Sequence, residues 1–470
     1  MKVTHVSIRA THAARNAGRP ELTPELLAAS GARYSRNNDG LEAILSKIDP
    51  ENLDKSVDAI FNMIDYGHQS IADMAPVAMF VDGISLWLAY YIWTLCPTAG
   101  GQESSTRYIK LSIDGLIPSE ALGLDSGSAQ TLSEQASASF DAYQTALSIW
   151  SAAAQADPSI ANIPASLTAS DDPKAIKQVA RMRRNFAFDR ARYYLPSACS
   201  TNMMLVMSAR GWVTLCQHLL SHPLREANAA GEKIREELGL CAPRMLRHAV
   251  KKSALASGLA DEFSRVRLEA ASGGSGLLKC DNGSFESPCV TRLSAMEPSE
   301  VPKFRDDLAF HDTRYGWFGD GLRRTSVSFG WDAVAFAELR DLNRHRTGSK
   351  WCPFVPVGFY GARDQYALLG QSAQVETLRQ LESIGARSSR TALEMLVNGD
   401  PRYVYWTVLG TQVSFEHTTT ADKFLYEAEL RTGTGAHYRY AAHLHDALQL
   451  WFAKYPETEG LVLEGTAEPE

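Results

Sequence analysis

Residues 326–346 read SVSFGWDAVAFAELRDLNRHR. The stretch reads as a strand followed by a helix that runs into Arg344-His345-Arg346. The other half of the chain shows the same order: Met79–Val81 is a strand entering an apolar helix that starts near Ile84. Residues 371–397 form a long helix and answer to residues 127–156, where Phe140, Tyr143, Leu147 and Trp150 recur at helical spacing. Pro401–Thr411 follows the later helix as Arg190–Thr201 follows the region of the earlier one. Helices are expected at Ser208–Leu220 and Leu224–Leu238, and a last helical stretch spans 421–451. In residues 40–66, Ile60, Met63 and Ile64 make one apolar helical face, with Gly67 as a stop. Such parallel order predicts a tandem duplication. Residues 252–300, with SGGSG, CDNG and SAMEPSEVP, read as loop and hold the boundary. The expected halves are 1–260 and 261–470.

The totals agree with two domains, since 470 residues exceed what one core supports. A net charge of −7 argues against a broad nucleic-acid-binding surface and leaves room for a local basic pocket. Seven cysteines without a CxxC pair point to a reduced, cytoplasmic setting. The N-terminal MKVTHVSIRATHAAR has no apolar signal core. Residues 83–102, GISLWLAYYIWTLCPTAGGQ, carry no charge over nearly a membrane-spanning length. Pro97 and Gly100-Gly101 break the stretch, and Asp82 abuts it, so it reads as a buried strand-to-helix element. No membrane span is expected.

Residues 101–111, GQESSTRYIKL, bring Glu103, Ser105, Arg107 and Tyr108 together. Arginine forks bind phosphates through paired, charge-assisted hydrogen bonds, although a single arginine is more often a surface ion-pair partner. Ser105 has no adjacent His or Lys to activate it as a nucleophile. His443 and His445 point to different faces of a helix, and with His437 they make no metal set. Gly433-Thr434-Gly435-Ala436 lacks the Lys-Ser/Thr of a P-loop and reads as a turn.

Taken in order, these elements resemble the flavin-dependent thymidylate synthase family. Gly31-Ala32-Arg33-Tyr34-Ser35, Gly67-His68-Gln69-Ser70, Gly83-Ile84-Ser85, Glu103-Ser104-Ser105-Thr106-Arg107-Tyr108, Ala191-Arg192-Tyr193-Tyr194-Leu195-Pro196 and Ser208-Ala209-Arg210 follow its motif series. Asp73 stands where the family usually has Glu, and Asp341 where it has Gln. The first half departs at the family's RHR position, held by Leu95-Cys96-Pro97, and at its late arginine, held by Leu219. The second half keeps Arg344-His345-Arg346 and Leu430-Arg431-Thr432. It has Phe354 for the motif serine and Thr420-Ala421-Asp422 for Ser-Ala-Arg.

The resemblance implies an α+β fold in two tandem copies, each an antiparallel sheet with long helices, packed as a pseudo-dimer. It implies one composite site, because in the family one subunit gives the RHR element and its neighbour the Ser-x-Arg element. Arg431 and Arg344 are then catalytic, with Arg431 stabilising negative charge on a pyrimidine. Glu103, Ser105, Arg107, Tyr108, Arg192 and Arg340 bind the nucleotide, with Ser105 as a phosphate ligand. His68, Ser70, Arg210, Arg344, His345 and Arg346 hold the flavin. The implied reaction is reductive one-carbon transfer to C5 of a uracil nucleotide, with FAD as relay, NADPH as reductant and 5,10-methylenetetrahydrofolate as donor. A tetrameric family implies a homodimer of the fused chain. Two alternatives stand beside it. One is a flavin enzyme of the same fold acting on another nucleotide or a secondary metabolite. The other is a silent flavin- or nucleotide-binding protein.

Overall fold

The computed structural model describes residues 1–467 except 36–39, 49–51, 53–54, 56, 59, 61–68, 97, 108, 110, 274–275, 280–284, 301–302 and 371–372. His68, Tyr108, Met63, Ile64 and Gly67 lie outside the described residues. Of the expected 40–66 helix, Leu41–Leu45 is helical. The chain forms two compact, discontinuous units. Residues 1–105, 116–125 and 200–263 make the first; residues 106–115, 126–199 and 264–470 make the second.

The first unit is built on an antiparallel sheet of β1 (Lys2–Val6), β2 (Pro76–Ser85), β3 (Gly100–Glu103) and β4 (Ser200–Ser208), in the order β1-β2-β4-β3. Along β4, Thr201, Met203, Leu205 and Met207 are buried, the period of two expected of a strand with one face on a core. The β2 register shifts between Asp82 and Ile84, where Gly83 adopts φ +72° and donates its N–H to Asn202 Oδ1 at 2.9 Å. A side chain would strain that bulge. The bulge delivers Ser85 to the start of helix Leu86–Leu95. There Ser85 Oγ accepts from Leu88 N and donates to Glu226 Oε2, at 2.9 and 2.8 Å. The fully buried Glu226 carboxylate also accepts from Ser85 N at 2.7 Å. The uncharged stretch 83–102 is thus a strand end, a ten-residue helix and β3, with Leu86, Leu88, Ala89 and Ile92 wholly buried. Among the described residues no helix is long and apolar enough to cross a membrane. Helix Ala209–Ser221, capped by Ser208, buries Trp212, Leu215, Cys216 and Leu219 on one face.

The second unit has an antiparallel sheet of β5 (Thr291–Met296), β6 (Ser326–Ala335), β7 (Ser349–Trp351), β8 (Gly358–Phe359) and β9 (Thr411–Thr420). Its order is β5-β6-β9-β7, with β8 also on β9. In both sheets two adjacent inner strands each feed a helix directly, and both β2 and β6 carry a register shift. Three long helices, Ser126–Ala156, Pro173–Ala191 and Ala373–Val397, pack together in this unit. Fully buried Trp150 meets Phe186 edge-on at 6.0 Å. Downstream of these helices, residues 193–197 run antiparallel to 407–410. Leu409 N donates to Leu195 O at 2.8 Å and Gly410 N to Tyr193 O at 2.7 Å.

Three expectations need correction. Residues 252–300 are not all loop: Ser253–Ser272 is helical and β5 follows. The Gly-Ser cluster at 272–276 masked a run of good helix formers, LADEFSRVRLEA at 259–270, that outweighs the internal Gly258. The 421–451 stretch is two helices, Ala421–Thr432 and Tyr438–Lys454, parted at the glycine-bearing turn. Arg344–Arg346 do not lie on a helix; helix Phe336–Leu342 is capped by Asn343, and they occupy the turn beyond it.

Candidate functional site

A cluster of guanidinium groups gathers around Asp341 in the second unit. The Asp341 carboxylate lies 3.5 Å from Arg344 Nη1 and 3.7 Å from Arg192 Nη2, and its carbonyl accepts from Arg431 Nη2 at 3.0 Å. Each arginine comes from a different place: Arg192 from the turn after helix Pro173–Ala191, Arg344 from the turn after Phe336–Leu342, Arg431 from the last turn of Ala421–Thr432. Burial raises the Asp341 carboxyl, but Arg344, Arg192, Arg431 and Arg340 outweigh it and hold it far below the usual carboxylate range. One carboxylate therefore faces several cations. Arg192 is 4% exposed, and among the described residues its Nε and Nη2 have no hydrogen-bond partner. A buried guanidinium with unmet donors is a costly group that an anionic ligand satisfies well. Arg340 is also buried beside Asp341.

Arg431 Nε donates to His345 Nε2 at 2.7 Å. With Nε2 accepting, a neutral His345 carries its proton on Nδ1, which faces Glu427 Oε2 at 3.9 Å. Burial pushes His345 down to about 3; Glu427 opposes this, while Arg431, His417 and Lys350 add to it. Glu427 is buried with His417 Nδ1 3.0 Å away. Burial raises its carboxyl, yet His345, His417 and Lys350 bring it down to about 2. His417 Nε2 donates to Thr347 O at 2.6 Å, and Lys350 Nζ to Asn343 O at 2.7 Å. The turn bearing Arg344–Arg346 is thus pinned by Lys350 and His417. Glu427, His417 and Lys350 were invisible to sequence reading, because they sit on three separate elements with no shared motif.

Arg107 forks onto Asp189, Nε to Oδ1 at 2.9 Å and Nη2 to Oδ2 at 2.6 Å, and its Nη1 donates to Gly435 O at 3.0 Å. His437 Nε2 reaches Asp189 O at 3.1 Å. The turn read between residues 433 and 436 is therefore docked on Arg107 and Asp189. Asp189 carried no sequence signal of its own.

In the first unit Ser70 is exposed in a short turn, Gln69–Met74, that packs on helix Ala209–Ser221. Asp73 Oδ1 of that turn accepts from Arg210 Nε at 3.0 Å and Ser208 Oγ at 3.3 Å. Ser70 and Arg210 thus share one neighbourhood. Glu103 ends β3 and is 6% exposed; Ser105, two residues later, is the last residue of the unit's first segment. Leu219 is wholly buried against Gly231. It is the eleventh residue of its helix, as Arg431 is of Ala421–Thr432. Counted from the caps Ser85 and Ala335, Arg344–Arg346 correspond to Thr94–Cys96, one residue earlier than motif matching placed them. Among the described residues no group of three or more His, Cys, Asp or Glu side chains could hold a metal ion.

A family model described as Thy1, thymidylate synthase complementing protein, matches residues 21–244. Residues 21–244 belong to this family. The thymidylate synthase complementing stretch holds Ser70, Glu103, Ser105, Arg107, Arg192 and Arg210; Arg340, Arg344, His345, Arg346 and Arg431 lie beyond it. The chain is 24% identical to UPF0159 protein Ta1429 of Thermoplasma acidophilum over 360 residues, 67% of this chain and 70% of that protein. Among solved structures it is similar to a UMP/dUMP methylase PolB from Streptomyces cacaoi bound with 5-Br dUMP. That likeness has 14% identity and a TM-score of 0.32, covering 53% of this chain and 93% of the other. No conclusion rests on it.

Proposed function

We propose that this chain is a flavin-dependent enzyme that transfers a one-carbon unit reductively to C5 of a uracil nucleotide, at a single composite site drawing on both halves of a duplicated chain. The observation that carries the reading is the buried Arg192 guanidinium. It comes from the thymidylate synthase complementing stretch, its Nε and Nη2 make no hydrogen bond among the described residues, and it lies near Asp341 with Arg344 and Arg431. Arg431, anchored by His345 and the Asp341 carbonyl, stabilises charge developing on the pyrimidine. Arg344 shares that role. Glu103, Ser105, Arg107, Tyr108, Arg192 and Arg340 bind the nucleotide; His68, Ser70, Arg210, Arg344, His345 and Arg346 hold the cofactor. FAD, when bound, relays reducing equivalents from NADPH to the carbon supplied by methylenetetrahydrofolate. The unmet donors of Arg192 suit an anionic group of either ligand. The halves 1–260 and 261–470 are the two copies, and the working assembly is a homodimer.

One observation favours a second reading. Asp341 is held charged beside Arg431, where the family has a neutral amide, so the ring it meets differs from uracil in its donors. The test is a purified full chain assayed for flavin absorbance and for dUMP methylation with NADPH and methylenetetrahydrofolate. The reading expects a yellow protein whose turnover collapses in Arg431→Ala and Arg344→Ala. A colourless protein that binds neither FAD nor dUMP by calorimetry overturns it.

A further inference from the structure

A chain of hydroxyl groups crosses the second unit from buried Glu338 to exposed Asp364. Glu338 Oε1 meets Tyr193 OH at 2.7 Å, Tyr193 OH meets Tyr438 OH at 3.4 Å, Tyr438 OH meets Tyr360 OH at 3.1 Å, and Tyr360 OH meets Asp364 Oδ1 at 2.6 Å. Glu338 and Tyr193 are wholly buried, Tyr360 nearly so, and the Asp364 side chain is 42% exposed. Glu338 lies one helical turn before Asp341 on helix Phe336–Leu342.

Counting protons decides what this chain can be. A phenol brings one proton and a carboxylate brings none. Three phenols supply three protons, but the path has four links. With both ends ionised, one link sets lone pair against lone pair in a buried site. With one extra proton, every link is made, and in two equivalent ways. If Glu338 holds it, all donors point outward to Asp364; if Asp364 holds it, all point inward to Glu338.

We infer that Glu338, Tyr193, Tyr438, Tyr360 and Asp364 form a proton relay between solvent and the arginine-lined centre. A proton taken from water by Asp364 passes to Tyr360 as the Tyr360 proton moves to Tyr438, the Tyr438 proton to Tyr193, and the Tyr193 proton to Glu338. Each O–H bond breaks as the next forms, and the phenols end neutral with their donors reversed. The surroundings set the resting state. Asp364 has Arg439 Nη1 at 3.5 Å and Gln365 Nε2 at 3.2 Å. Glu338 accepts from Ala335 N at 3.1 Å and is faced by Arg192, Arg439 and Asp341. Burial, stronger than the two arginines, lifts its carboxyl to about 7. Arg190 lies over the Tyr438 ring at 4.4 Å and Arg439 over the Tyr360 ring at 4.3 Å, which fixes both phenols in line. The relay's use rests on the proposed reaction, which takes up one proton overall: nucleotide, methylenetetrahydrofolate, NADPH and a proton yield methylated nucleotide, tetrahydrofolate and NADP.

The test is infrared difference spectroscopy of the full chain, wild type against Glu338→Gln. Wild type should show a protonated-carboxyl C=O band near neutral pH that Glu338→Gln removes. Tyr438→Phe, which relieves the proton shortage next to Tyr193, should shift the titration of that band to lower pH; Tyr360→Phe provides the same check should the first variant fold poorly. No such band in wild type, or one unmoved by both phenol variants, overturns the relay. With dUMP as substrate, Tyr438→Phe should lower kcat roughly 10- to 100-fold at unchanged KM. An inactive wild type would refute the proposed reaction and leave the spectroscopic result to stand or fall alone.

Discussion

Arg431 donates from Nε to Nε2 of His345 across 2.7 Å, so the imidazole must stay neutral for the pair to persist. The ordinary histidine value of 6.5 falls to about 3 in the folded chain, chiefly through burial. The unfolded chain therefore binds the extra proton first as pH drops. Stability is full above about 6.5 and declines as pH falls toward 3. Urea midpoints at neutral and mildly acid pH should show this loss, and His345→Gln should flatten the slope. An unchanged slope would mean that His345 is not the group responsible.

Leu219 and Arg431 occupy the same place in their helices, yet exchanging them should not transfer the chemistry. Leu219 is wholly buried and packed against Gly231. Leu219→Arg should lower stability by about 3 kcal/mol or more, the scale of a buried unpaired charge, seen as a fall in melting temperature. It should bring no gain in turnover.

Arg192→Met separates ligand binding from folding. Its Nε and Nη2 make no hydrogen bond among the described residues, and Asp341 keeps Arg344, Arg431 and Arg340 as counter-charges, so losing those two donors returns about 1–3 kcal/mol of desolvation cost while the apolar stem is kept. The melting temperature without ligand should hold or rise, while dUMP affinity falls roughly 10- to 100-fold by calorimetry. A large loss of stability with affinity intact would assign Arg192 a purely structural role.

Asp189→Asn should act in the opposite sense. Asp189 is the anion for the Arg107 fork, and both side chains are largely buried. Removing its charge should cost about 3 kcal/mol and loosen the 433–437 turn, read as faster amide exchange there. Unaltered exchange would show that the turn is held by other contacts.

Much of the fold was legible because its signals are local. The Phe140/Tyr143/Trp150 stripe marks a long helix at 3.6-residue spacing, and the uncharged run from residue 83 marks a strand that enters a buried helix. Residues 252–300 read as loop for the same reason: glycine and serine clusters are strong local punctuation, and they outweigh the helical stretch that precedes them.

The candidate site divides along the same line. The identities of Arg192, Arg344 and Arg431 follow from motif order along the chain. That they converge on Asp341 does not, since Arg192 and Arg344 stand 152 residues apart in sequence. Glu427, His417, Lys350 and Asp189 became partners only through packing. So did the neutrality of His345 and the line of phenols from Glu338 to Asp364. Chain chemistry sets which groups can donate, accept or carry charge. Which of them lose water, and which neighbour then compensates them, is a matter of ångströms that long-range packing alone decides.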